Sequence, residues 1–276
     1  QNSHLVNVPE NIDFQVGFED TKVQHKKYVV NKDTGQYLET VGQGFKCANH
    51  GDFFREIGKT LTEELSPSHL ENAKVTWRNA RQNGWAMMDL TLPNSKYTIS
   101  NDNHKTTISQ RIIALHGVDG SCSNQVYFGA IDSFCTNGQI TGEWDKVRRK
   151  NTSNFTLQSF IDDLKIAGLE FETTARKQQT WLNTHLDAKL EDIQSIVKSD
   201  KKAEKMFELY KQEQSSRGRN VFALYSAFTN YASYADDRNG FSLKNTGNDT
   251  QSISMWQREH EVAKWIGSNE FEKLAA

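Results

Sequence analysis

The sequence predicts an α+β fold: an antiparallel sheet with a packed helix in the N-terminal half, and a helical C-terminal half. Three observations carry this. Between His104 and Asn137 lie two apolar runs, Thr106–Leu115 and Gln125–Phe134, rich in β-branched and aromatic side chains. The stretch between them holds Gly117, Asp119, Gly120, Ser121 and Ser123, the residue types that turn an antiparallel pair. From Phe155 onward the apolar spacing changes to alternating three and four, the period of helices. On this reading residues 1–25 form an N-terminal arm, 26–142 an α+β sheet domain, and 143–276 a helical region packed on or beside the sheet.

Taken in order, Gln1 to Asp20 is polar with scattered apolar residues and reads as an irregular or partly ordered arm. Lys26–Asn31 and Gln36–Phe45 are strand candidates around an Asp33-Thr34-Gly35 turn. Phe53, Phe54, Ile57, Leu61 and Leu65 then fall at helical spacing, with Asn49 or Asp52 able to cap the start. Val75–Asn79 and Trp85–Leu92 make another strand pair about Arg81-Gln82-Asn83-Gly84, closed by Pro93-Asn94. The central hairpin follows. Leu157, Phe160, Leu164, Ala167, Phe171 and Thr174 form one helical stripe; Leu182, Leu186, Leu190, Ile193 and Val197 form a second after a shift. Lys201–Gln214 is a further helix, Gln214–Asn220 a polar break, and Val221–Tyr234 the most apolar helix in the chain. Asp236–Asn248 reads as a polar loop, and Ser252–Phe271 as the last helix.

Composition narrows the function classes. A formal net charge of −2 excludes a uniformly basic coat for nucleic acid but leaves room for a local basic groove. No apolar run approaches the roughly 18 residues of a membrane span. Gln1–Glu10 lacks the charged-then-apolar plan of a signal peptide, and three cysteines are too few for a disulfide scaffold. The expectation is a cytoplasmic protein, within the host cytoplasm if viral.

His116, Cys122 and Cys135 are weak metal-ligand candidates across the hairpin, lacking a fourth ligand at standard spacing and any CxxC pair. Cys135 with His116 as nucleophile and base lacks an orienting third group. His260-Glu261 begins like a zinc-protease motif, but Lys264 stands where the second histidine is needed. Gly42, Gly44 and Gly51 are not followed by the GK[ST] of a phosphate loop. No catalytic residue and no cofactor is therefore assigned. The segment Lys146, Arg148, Arg149 and Lys150 offers more, with Trp144 just upstream. Cations for phosphates beside an aromatic platform for bases are what single-strand binding requires. Arg111 and Lys105 extend this set, as do Arg78 and Arg81 if the strands align them. The plain alternative is a solvated charge run before a helix.

Four segments carry a resemblance to a known family: VGQGFKCANHGDFFREI at Val41–Ile57, LHGVDGS at Leu115–Ser121, FCTNG at Phe134–Gly138 and NVFALYSAFTNYASY at Asn220–Tyr234. Their order, spanning Val41 to about Trp265, resembles an uncharacterised family of phage and plasmid proteins, domain-of-unknown-function family 932. Ser226 stands where that pattern has Asn, and Lys150-Asn151-Thr152 where it has a His-Thr pair. The resemblance implies a mobile-element, phage-like context and supplies no reaction. A looser similarity links the chain to phage single-strand annealing proteins, which hold one strand in a basic groove along an oligomer. The functional expectation is single-stranded DNA binding or annealing in recombination or replication, with a possible homo-oligomer and no membrane partner. The alternative is a phage protein-interaction factor, for host takeover or anti-defence, without enzymatic activity.

Overall fold

A computed structural model of the chain describes residues 5–134, 138–140, 147–167, 171–234 and 248–276. Strands β1 (Val16–Asp20), β2 (Lys26–Asn31) and β3 (Tyr37–Gly42) form a small antiparallel sheet in that order. The stretch read as an irregular arm thus contributes a strand. Its pairing with β2 and the bond from the Val16 amide to Asn49 Oδ1 (2.8 Å) order a segment whose local apolar pattern is short. The β2–β3 turn falls at Asp33-Thr34-Gly35 as expected, with Gly35 at φ 72° and Asn31 Oδ1 accepting from the Asp33 amide (2.9 Å). Phe14, Val29, Leu38 and Val41 bury one face of this sheet against Val118.

Helix α1 (His50–Glu64) leads through the short α2 (Pro67–Leu70) to a larger antiparallel sheet. That sheet runs β4 (Lys74–Ala80), β5 (Trp85–Ser100), β6 (Lys105–Gly117), β7 (Asn124–Asp132) and β8 (Gly138–Ile140), side by side in chain order. A two-residue strand, β9 (Arg148–Arg149), pairs with the start of β7. The β6–β7 hairpin is the predicted one. Strand β5, however, does not stop at Pro93. Residues 93–95 bulge out between the Leu92–Gln110 and Lys96–Ser109 pairs, and the strand resumes to Ser100. Beyond Thr91, β5 no longer has β4 beside it, so Pro93 sits on an edge where its missing N–H breaks no ladder.

The helical part is α3 (Leu157–Ala167), α4 (Glu172–Asn183), α5 (Leu190–Val197), α6 (Asp200–Arg217), α7 (Val221–Tyr234), α8 (Asn248–Ile266) and α9 (Asn269–Ala275). Helix α7 has the bounds expected, and its Val221, Phe222, Leu224 and Phe228 are fully buried. Helix α6 runs into the expected polar break as far as Arg217, leaving Gly218–Asn220 outside any helix. Arg217 at its end is fully buried, held by Glu213 Oε2 (2.7 Å), Asp132 Oδ2 (2.8 Å) and His104 Nε2 (3.0 Å). The expected second stripe is interrupted after Asn183, where His185 bridges to Asn220, and the last helix divides at Gly267 into α8 and α9.

Three layers result. Helices α1 and α3 cover one face of the large sheet, with Phe53, Phe54, Ile57, Leu61 and Phe160 on Met88, Leu90, Ile112, Ala114 and Val126. On the other face α8 covers Trp85, Met87, Ile113, Leu115 and Tyr127, near the β6–β7 turn. Helices α4, α5, α6 and α9 pack around α7 and reach the far half of the sheet at Ile99, Ile108 and Ala130. Among the described residues no helix is long and apolar enough to cross a membrane. Most of the loop predicted at Asp236–Asn248 lies outside the described residues.

Candidate functional site

The β6–β7 turn, β9 and the cleft side of α8 enclose a cleft of about 1050 Å³, which α6 also borders. Its sheet side begins with strand alternation. Along Val147–Lys150 side chains point to opposite faces in turn, as a period of two requires. Val147 is buried with the α1/α3 cluster, and Arg149 turns the same way to pair with Asp163 of α3. Arg148 and Lys150 face the cleft, Arg148 with its Nε 3.4 Å from Ser123 Oγ. Two asparagines clamp this segment. Buried Asn124 donates to the Arg149 carbonyl (3.1 Å) and to Asn151 Oδ1 (2.7 Å), and Asn151 donates to the Gly117 carbonyl (2.7 Å).

The helical side comes from α8. Trp256, His260 and Lys264 recur every four residues, and Gln257, Glu261 and Lys264 share that side of the helix. Trp256 packs 4.9 Å from Tyr127 of β7 and 4.4 Å from His260, ring centroid to ring centroid. Lys202 of α6 binds Glu261 Oε1 (2.6 Å), and the Tyr231 hydroxyl donates to Glu261 Oε2 (3.2 Å). Burial works against the Lys202 ammonium, but Glu261 and Tyr231 together outweigh it and raise its pKa above the ordinary lysine range. The cleft therefore sets Arg148, Lys150, Lys202, Arg258 and Lys264 against Glu261, with Phe45, Tyr231 and Trp256 among them. Arg148, Lys150 and Lys264 are exposed and have no acidic partner among the described residues.

The other sequence candidates go elsewhere. Arg149 is neutralised by Asp163, because β9 turns it away from the cleft. Arg111 is buried between Asp89 of β5 (2.7 Å) and Glu259 of α8. Burial opposes its charge, yet the two carboxylates outweigh that and hold its pKa above the usual arginine value. Arg111 thus fastens α8 to the sheet and offers nothing to a ligand. Lys105 is exposed at the opposite end of the 13-residue β6, about 40 Å from the turn at ~3.3 Å per residue. Arg78 points at Met255 Sδ (3.4 Å), and Arg81 is bound to Asp119 (2.6 Å) and Glu39 (3.3 Å). Trp144, Lys146 and Cys135 lie outside the described residues.

His116 and Cys122 are on opposite faces of the sheet. His116 shares the face of Ile112 and Ala114 and stacks on Phe53 of α1 (4.3 Å), whereas Cys122 packs with Ile113, Leu115 and Tyr127. They cannot share an ion or a proton. Instead His116 meets His50, their Nδ1 atoms 2.8 Å apart. His50 Nε2 donates to the Asn83 carbonyl (2.8 Å), so its Nδ1 accepts from His116, and His116 Nε2 keeps a bare, buried lone pair. Burial lowers the His50 pKa to about 4 and that of His116 well below the usual value, so both rings are neutral. Burial pushes the thiols of Cys47 and Cys122 up to about 12, which leaves neither as a thiolate at neutral pH. Among the described residues no group of three or more His, Cys, Asp or Glu is placed to hold a metal ion.

Lys202, Arg258, Lys264, Tyr231 and Trp256 were missed from sequence. They lie 50 or more residues from β9 in the chain, and the four-residue spacing on α8 was a visible signal for Trp256 and Lys264 alone. What the assembled cleft can do is bind: it is concave, cationic, and lined by polar groups with a few aromatic rings, unlike the mostly apolar pockets of small hydrophobic ligands. No curated protein and no solved structure matches the chain. The profile of one family, described as a domain of unknown function (DUF932), matches residues 37–257, most of the sequence, and the chain belongs to that family.

Proposed function

We propose that this protein binds single-stranded DNA in the cleft between the β6–β7 turn and α8. The observation that carries the reading is the convergence of Arg148, Lys150 and Lys264, exposed and without acidic partners among the described residues, on one concavity that also presents Trp256 and Phe45. Cations on the walls suit a phosphate backbone, and ring faces suit unpaired bases. Against a net charge of −2, this local concentration of positive charge is an attractive surface for a polyanion. The likeness of its motifs to phage and plasmid proteins supports a role in recombination or replication, where a strand is held open for pairing. Annealing would further require self-association, which the mass of the purified protein tests.

The decisive measurement is fluorescence anisotropy of labelled oligothymidylate across a salt series. Affinity is expected to fall steeply with salt. The Arg148→Ala/Lys150→Ala double variant is expected to lower the slope of log K against log[salt] by about 1 to 2, at roughly 0.7 per single-strand phosphate contact. Arg149→Ala, whose side chain is already paired with Asp163, should leave the slope unchanged. Absent or salt-independent binding overturns the proposal. A host protein recovered in stoichiometric amount, with no nucleic-acid absorbance, would favour the protein-interaction reading instead.

A further inference from the structure

The cleft does not end at β9. Phe45, which lines it, meets Phe18 of β1 edge-on, ring centroids 6.3 Å apart and planes at 72°. Phe18 is 41% exposed, although its cross-strand partner Val29 is fully buried. The ring is thus anchored through its strand at the rim of the small sheet, with a large part of its surface in solvent. Lys27 completes the corner: its ammonium lies 4.2 Å from the Phe18 ring centroid and donates to the Phe45 carbonyl (2.6 Å). Two rings and a fixed cation therefore stand directly beside a cationic cleft.

We infer that this corner is a second base-stacking platform, so that a single strand leaving the cleft passes Phe45 and stacks a base on Phe18. The ligand is a single strand because only unpaired bases present a face to an edge-mounted ring. Lys27, already held in place by the Phe45 carbonyl, supplies charge for the adjoining phosphate. The inference rests on the cleft holding the same strand, and it assigns the footprint and direction of that strand across the molecule.

The test compares an oligothymidylate of about 4 nucleotides, enough for the cleft, with one of about 12, enough to reach Phe18. Phe18→Ala is expected to weaken the longer probe about 5- to 150-fold, the range of one lost base stack, and to leave the shorter probe unchanged. Phe18→Trp should bind the longer probe at least as tightly as the natural protein, which separates stacking from a folding defect. Equal effects of Phe18→Ala on both probes, or none on either, overturn the platform while leaving the cleft reading intact. If Arg148→Ala/Lys150→Ala leaves both probes unaffected, the cleft reading fails and the platform falls with it.

Discussion

His50 and His116 are buried, hydrogen-bonded to each other and uncharged, and this sets how the protein responds to acid. In the unfolded chain each titrates near 6.5; folded, His50 titrates at about 4 and His116 well below its usual value. Above pH 6.5 neither contributes a pH dependence. As the pH falls from 6.5 towards 4 the unfolded chain binds protons that the native state refuses, so stability drops by up to about 1.4 kcal/mol per pH unit for each ring. Urea unfolding between pH 7.5 and 4 should show this decline. His116→Phe, whose ring suits the stack on Phe53, should make it shallower by up to one proton's worth, and an unchanged slope would dismiss the assignment. The two cysteines lead to a related expectation. With both thiols at about 12, Ellman's reagent at pH 8 should react with Cys47 and Cys122 slowly in the native protein and rapidly in denaturant.

Helix α8 is held against the sheet by a buried guanidinium between two carboxylates, and that arrangement also positions the helical wall of the cleft. Arg111→Ala strands Asp89 and Glu259 without their counter-charge, a loss of about 3–5 kcal/mol that thermal unfolding would register. Replacing all three by apolar residues of similar volume should restore much of that stability. A melting temperature unmoved by Arg111→Ala would contradict the arrangement. At this scale the sequence was legible where local pattern and tertiary packing agree. Helix α7 shows its length in a stretch dense in apolar and aromatic residues, and Asn220, whose Oδ1 accepts from the Ala223 amide (2.9 Å), marks its start. It was misleading where a charge is buried. Arg111 reads as one more surface cation on a strand, and Arg217 as part of a polar break, because nothing local distinguishes an arginine awaiting two carboxylates from one facing water. Pro93 misled in the opposite sense, since only the end of the β4 pairing makes its place in a strand harmless.

The cleft draws on residues from Phe45 to Lys264, so a ligand within it bridges the sheet and the helices. Binding should therefore stabilise the whole fold. An oligothymidylate at about 100 times its dissociation constant adds about 2.7 kcal/mol, a rise in melting temperature of roughly 5–10 °C. Unchanged melting despite measured binding would place the ligand elsewhere. Two of the five cleft cations were readable in advance. Arg148 and Lys150 follow a turn signal in an obvious basic run, whereas Lys202, Arg258 and Lys264 are separated by the helical fold and carry no motif. The run itself could not reveal that Arg149 turns away, since that depends on the pairing of Gln125 with Arg148.

That pairing has a consequence for which sequences the segment tolerates. Valine, arginine, arginine and lysine in succession act as a parity code: exchanging Val147 with Arg148 would present a guanidinium to the greasy interior and a methyl-branched chain to the basin. Such an exchange should abolish the proposed affinity for single-stranded DNA while keeping every charge in the chain, whereas replacing Arg148 by lysine should leave that affinity nearly intact.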